Sequence, residues 1–418
     1  MSEKKTPAIR FKGFTDEWEQ RKLEDIAERI IRKNTNLEST LPLTISAQYG
    51  LIDQSEFFNK RIASKDISVY YLLKKGEFAY NKSTSADAPF GAIKKLDRYN
   101  SGVLSTLYIL FRIRDERKID SNYISAYYDT VIWHKDIQNI AAEGARNHGL
   151  LNIAPKDFFE TKLQLPSALL EQTKIGDYFR ILNYLIAINQ RKLTKLQLLK
   201  KSMLTKMFPK DGALVPEIRF QGFHGDWEQC TLGDIAEHIT RKNTNLESTM
   251  PLTISAQYGL IDQSEFFDKR IASKDIRGYY LLKKGEFAYN KSTSADAPFG
   301  AIKKLNRYNS GVLSNLYILF RIRDERKIDS NYISAYYDTA IWHNEIQHIA
   351  TEGARNHGLL NISPKDFFET KLQAPSTLLE QKKIGEYFCN IGHRIALHQR
   401  KLSKLQQIKQ AMLSKLFV

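Results

Sequence analysis

The stretch PAIRFKGF, Pro7–Phe14, returns as PEIRFQGF, Pro216–Phe223. The offset is 216 − 7 = 209, and the same offset carries Trp18 to Trp227, Trp133 to Trp342 and Phe208 to Phe417. Twice 209 is 418, the full length, and roughly four-fifths of the aligned positions are identical. A period of this size is far longer than that of solenoid or propeller repeats, so the chain is one two-part module written twice.

Composition divides each module. From about Trp18 to Leu165, β-rich runs (LPLTISAQYG, YYLLKKGEFAY, GVLSTLYILFRI) alternate with turn-forming patches such as NKSTSADAPFG. One stretch, SNYISAYYDTVIWHKDIQNIA, brings apolar residues round at helical spacing and reads as a single helix. This part is expected to be an α/β (α+β) globule.

The second part has no Gly or Pro between Gly176 and Pro209. Its apolar residues Ile175, Phe179, Leu182, Ile186, Leu193, Leu196, Met203 and Met207 mark a seam stepped in fours and threes, as in coiled coils. Ile384, Phe388, Ile391, Ile395, Leu402, Leu405, Met412 and Leu416 repeat it, with Asn189 and His398 as the polar step in each copy. So narrow a stripe needs a partner, and the two helices of one chain are the obvious pair. PKDGALVP, Pro209–Pro216, reads as a linker. The expected order is globule 1–165, helix 166–208, linker 209–216, globule 217–374 and helix 375–418.

Charge narrows the partners. Lys+Arg number 63 against 47 Asp+Glu, a net +16, which with many Tyr and Phe points to a polyanion such as nucleic acid. The first residues hold no apolar run, so a secretory leader is not expected, and no stretch approaches a membrane span. Two cysteines are too few for a disulfide framework, and a reducing cytoplasm is the simplest setting.

Enzyme chemistry finds little support. There is no Pro-Pro, hence no Asp/Asn-Pro-Pro-aromatic strip for a flipped base, and no GxxxxGK[ST] or dinucleotide fingerprint. Pro155-Lys156-Asp157 with Glu160-Thr161-Lys162 crowds its acids into one segment that reads as a helix start, not a nuclease centre. The histidines show no metal-ligand spacing.

The wording PxIRFxGFxxxWEQ at each module start, LPSALLEQTKI at Leu165 with its twin APSTLLEQKKI at Ala374, and QRKLTKLQ at Gln190 with QRKLSKLQ at Gln399 closely resembles the specificity (S) subunit of bacterial type I restriction–modification systems. The resemblance spans essentially the whole chain. It implies two target-recognition domains, each reading half of a split sequence in double-stranded DNA, and two helices packed as an antiparallel coiled coil with pseudo-twofold symmetry. It also implies a non-catalytic chain without its own cofactor. Two methyltransferase (modification) subunits would bring S-adenosylmethionine, and restriction subunits ATP with Mg2+. Near-identical heads so related should read an interrupted palindrome. The other readings are a stand-alone two-module DNA-binding regulator without enzyme partners, and an RNA-binding adaptor.

Base edges are read by Asn and Gln for adenine and by Arg or Lys for guanine, from loops and helix ends. Three patches per globule qualify. The first supplies Ser46, Gln48 and Tyr49, with Ser255, Gln257 and Tyr258; the second Asn81, Lys82, Ser83 and Thr84, with Asn290, Lys291, Ser292 and Thr293. The third, bracketed by glycines, supplies Arg146, Asn147 and His148, with Arg355, Asn356 and His357. Arg32, Lys33, Lys60, Arg61, Lys94 and Lys95 with their twins are candidate phosphate contacts.

Overall fold

A computed structural model describes residues 6–46, 50–60, 62–141, 149–210, 212–255, 259–267, 271–350 and 358–418. The chain forms two compact units. The first comprises residues 1–191 together with 401–418, and the second residues 192–400.

In the first unit the order is β1 (Glu19–Lys22), α1 (Leu23–Ile26), β2 (Ala27–Ile30), β3 (Leu43–Ser46), β4 (Gly50–Asp53), α2 (Gln54–Phe58), β5 (Tyr71–Lys74), β6 (Phe78–Asn81), β7 (Ala92–Lys95), β8 (Ser101–Leu104), β9 (Ile109–Ile113), α3 (Ser121–Tyr127), α4 (His134–Ile140), α5 (Pro155–Phe159) and β10 (Lys162–Leu165). The long helix α6 (Leu169–Lys206) follows. The second copy repeats this as β11 (Glu228–Thr231), α7 (Leu232–Ile235), β12 (Ala236–Ile239), β13 (Leu252–Ser255), β14 (Gly259–Asp262), α8 (Gln263–Phe267), β15 (Tyr280–Lys283), β16 (Phe287–Asn290), β17 (Ala301–Lys304), β18 (Ser310–Leu313), β19 (Tyr317–Ile322), α9 (Ser330–Tyr336), α10 (His343–Ile349), α11 (Pro364–Phe368), β20 (Lys371–Ala374) and α12 (Leu378–Leu416).

An antiparallel sheet in the order β2-β9-β6-β7 centres the first unit. Successive strand side chains point to opposite faces. Ile109, Phe111 and Ile113 of β9 therefore enter one core with Trp18, Tyr123 and Phe158, while Leu110 enters a second with Leu43, Ile45 and Leu104. Burial on both faces explains why these strands read as near-continuous apolar runs. The second unit has the same sheet, β12-β19-β16-β17, and the same pair of cores.

The helical stretch 121–141 is broken, against the expectation of one helix. Thr130 Oγ1 donates to Tyr127 O at 2.7 Å and Trp133 Nε1 to Tyr128 O at 3.1 Å, closing α3 before α4 begins. The interruption carries Asp129, whose carboxylate pairs with Lys94 and with Lys409.

Phe417, at the end of α12, lies in the first unit's core, 5.8 Å from Phe179 and 6.4 Å from Trp18 between ring centroids. Phe208, just past α6, takes the same place in the second unit beside Trp227 and Phe388. Backbone joins follow the same pattern: Ile9 N donates to Lys415 O at 3.0 Å, and Ile218 N to Lys206 O at 2.8 Å.

The wording that carries the resemblance has a mechanical role. Arg10 of PAIRF grips Glu171 of LLEQ through two bonds, at 2.6 and 2.8 Å, with the Glu171 side chain fully buried. Gln172 beside it accepts from Asp120 N and donates to Pro166 O. A Cβ at Gly176 would lie 2.5 Å from Tyr123 N, so only glycine lets α6 approach α3 this closely. Arg219, Glu380, Gln381 and Gly385 repeat the clamp.

Candidate nucleic-acid interface

The frameworks of the three patches meet at one end of the central sheet. Ser46 of the first patch pairs with Gly50, the last register pair between β3 and β4. Tyr108 hydrogen-bonds to Thr44 and to the Ile45 backbone, the two β3 residues that precede Ser46. Its twin Tyr317 does the same with Thr253 and Ile254, and lies directly across from Asn290, where the second patch begins. Burial pushes both phenols up from their ordinary range, so they stay neutral. The second patch in turn holds the close of the third. Ser83 bridges to Leu150, Leu151 N donates to Lys82 O at 3.0 Å, and Thr84 donates through both its backbone N and its Oγ1 to Gly149 O. Ser292, Leu360 and Thr293 repeat these bonds with Leu359, Lys291 and Gly358.

Within this frame the candidates separate. Ser46 and Ser255 are buried strand residues, 6% and 5% exposed. Asn81 and Asn290 each spend the side-chain oxygen on the backbone N–H two residues on, at 3.0 Å, forming the turn. Thr84 and Thr293 are committed to Gly149 and Gly358. Ser83 and Ser292 are exposed. Lys82 and Lys291 are half-buried, each donating to a carbonyl, Ile153 O at 3.3 Å and Ile362 O at 3.2 Å. Burial lowers both lysine pKa values, and around Lys82 the nearby Arg29 adds to the effect. Gln48, Tyr49, Arg146, Asn147 and His148, and their twins Gln257, Tyr258, Arg355, Asn356 and His357, lie outside the described residues.

Several candidate phosphate contacts have internal work instead. Arg32 bonds Glu77 at 2.7 Å and Leu72 O at 3.1 Å, Lys33 donates to Val69 O at 2.9 Å, and Lys94 pairs with Asp129. Lys95 bonds Asn122, and Arg241, Lys303 and Lys304 repeat these roles. Lys60 remains exposed, while Arg61, Lys269 and Arg270 lie outside the described residues. Sequence reading missed Arg29, an exposed β2 residue near Lys82, for which His238 stands in the second unit. It also missed Tyr108, whose role depends on a hairpin more than fifty residues earlier in the chain.

Pro155–Phe159 is a short helix, as its sequence suggested, and Glu160 beside it pairs with Lys22 at 2.5 Å. Among the described residues no His/Cys/Asp/Glu group could hold a metal ion, and no helix is long and apolar enough to cross a membrane.

The crystal structure of the type I restriction–modification system S subunit from M. genitalium matches at a TM-score of 0.66 and 14% identity, over 99% of this chain and 99% of that one. The HsdS subunit from Thermoanaerobacter tengcongensis (17% identity, 96% of each chain, TM-score 0.37) aligns over a similar length. So does a chain from a structure of type I R-M complex assembly and conformational transition (16% identity, 96% of this chain and 97% of that one, TM-score 0.39). No family model and no curated protein matches the chain. The chain thus has the fold of a type I S subunit: two similar mixed α/β globules, each followed by a long helix.

Proposed function

We propose that this chain is the sequence-specific DNA-recognition subunit of a type I restriction–modification assembly. In this reading residues 1–165 and 217–374 are target-recognition domains, 166–208 and 375–418 are spacer helices paired antiparallel, and 209–216 joins the modules. The heads read a half-site and its reverse complement across an unread gap. The chain itself is non-catalytic and acts in the cytoplasm. Two methyltransferase subunits supply S-adenosylmethionine chemistry, and restriction subunits supply ATP- and Mg2+-dependent cleavage.

The observation that carries the reading is that one framework of three polar patches is built twice, on heads that each close over the far end of the other module's helix. The net charge of +16 suits a duplex partner. The wording shared with S subunits, and the fold shared with one of them, favour this over a regulator acting alone.

Mapping modified bases in cells that make the chain with its partner methyltransferase subunits tests it. The expected target is an interrupted palindrome; two unrelated half-sites would overturn the symmetric part of the proposal. Replacing Arg146 and Arg355 together with Ala should weaken discrimination between target and random duplex more than it weakens nonspecific binding. Equal loss on both DNAs, by competition titration, reassigns that loop to phosphate contact.

A further inference from the structure

We infer that Asp129 and Asp338 are positioning residues, each a buried key that accepts the arriving helix in one register only. The inference rests on the DNA-recognition reading for its consequence, but not for its geometry. In the first unit the Asp129 carboxylate, 8% exposed, is held between Lys94 of β7 and Lys409 of α12, the latter at 2.6 Å. In the second, Asp338 is held between Lys303 of β17 and Lys200 of α6, the latter again at 2.6 Å. Burial opposes the charge on Asp129, yet the two ammonium groups more than offset it and hold the carboxyl well below its ordinary range; Asp338 is lowered in the same way. Each aspartate sits in the break between two short helices (α3–α4, α9–α10), an interruption that places a charge where a continuous helix would not.

The helix-borne lysines occupy an unusual place. Stepping in fours and threes along the seam from Leu193 and Leu196 leads to Lys200 and then Met203; from Leu402 and Leu405 it leads to Lys409 and then Met412. Lys200 and Lys409 therefore stand on the apolar stripe itself. An apolar stripe tolerates displacement along its own repeat, because leucine replaces leucine or methionine. The lysine does not. Any displacement by three, four or seven residues that keeps the seam apolar puts Leu193, Leu196, Met203 or Met207 where Lys200 stands. For Lys409 the substitutes are Leu402, Leu405, Met412 or Leu416. The displaced register strips one of the two cations from a buried carboxylate and leaves a lysine in apolar surroundings, and both are unfavourable. The seam supplies adhesion, and the key specifies register alongside the aromatic seats of Phe417 and Phe208. A displacement of seven residues moves a helix by about 10 Å, close to three base pairs of duplex. The key therefore fixes the gap length that the heads accept.

The test replaces both helix lysines with methionine, Lys409→Met with Lys200→Met, which keeps the stripe apolar and leaves each aspartate its strand lysine. Lys409→Gln with Lys200→Gln serves if the first pair does not fold, and Lys409→Arg with Lys200→Arg is the conservative control. In the full chain, with Cys230→Ser and Cys389→Ser, spin labels on Glu116→Cys and Gln406→Cys report the distance from α12 to the first head. The parent should give one narrow distance population, the Met or Gln pair a second population displaced by about 10 Å, and the Arg pair the parent's distribution. In selection from random duplex DNA, the parent should favour one gap length by at least about tenfold, and the Met or Gln pair should flatten that preference. A Met or Gln pair with the parent's distance distribution overturns the inference. Distances that shift as expected, in a protein that selects no gapped duplex, uphold the key and overturn the DNA-recognition reading.

Discussion

Midway along α6 the first unit presents Ile181 and Tyr184 to solvent, 52% and 65% exposed, with Leu185 beside them; the corresponding turns of α12 present Asn390, His393 and Arg394. Residues 42–58 and 251–267 are by contrast the same seventeen residues, and they include the hairpin that carries the first patch. Across 180–189 and 389–398 only two of ten positions agree, Ile186/Ile395 and Ala187/Ala396. Seam position 182 is leucine in one copy and isoleucine at 391 in the other, both 6% exposed. A helix middle asks only that its buried stripe stay apolar. A head asks more, because its hairpin, its tyrosine struts and its neighbouring loops satisfy one another's hydrogen bonds. Duplicated text drifts where the physics specifies one face and stays fixed where it specifies a network.

That contrast can be broken at the clamps. Replacing Arg10 and Arg219 together with Ala strands Glu171 and Glu380 as buried, uncompensated carboxylates, at a cost of about 3–5 kcal/mol at each clamp. Urea unfolding of the single variants should show equal losses; a clear inequality would mean that the copies have diverged in their frameworks as well as on their helices. Next in size, Phe417→Ala and Phe208→Ala should each cost ~3–5 kcal/mol through the cavity left among aromatic neighbours. Calorimetry should again show matched losses. The smallest effect sharpens the comparison most. Giving the first unit its twin's surface, Ile181→Asn with Tyr184→His and Leu185→Arg, should move stability by no more than about 0.5 kcal/mol. A larger loss, read as a shift in the urea midpoint, would show that this face is doing structural work in the isolated chain.

The duplication, the mixed α/β heads and the long helices were legible because they rest on repetition and local periodicity. The break at Asp129 was not. Residues 121–141 carry a helical pattern, and the interruption holds an aspartate whose ion group is completed by Lys409, 280 residues away. Lys200 and Lys409 hid for a related reason: a lysine amid a leucine stripe looks like a solvated position until its carboxylate is found. Among the candidate contacts, Asn81 and Thr84 were chosen for hydrogen-bonding capacity, and part of that capacity is spent on the loops that hold them. Residue type discloses what a group can donate or accept, but not to whom. Arg10 and Glu171 make the converse case, since their wording pointed to a family while their 161-residue separation concealed that they touch.

The seat of Phe417 against Trp18 sets an order on biosynthesis. The two rings are 417 − 18 = 399 residues apart, so at ~5–20 residues per second the first head waits roughly 20–80 s after its tryptophan is made before its core can close. The second head finds Phe208 already translated before its own tryptophan emerges. Of two nearly identical bodies, the one the ribosome makes first is thus the last to be finished, and in the interval its unfilled aromatic pocket is what a chaperone would find.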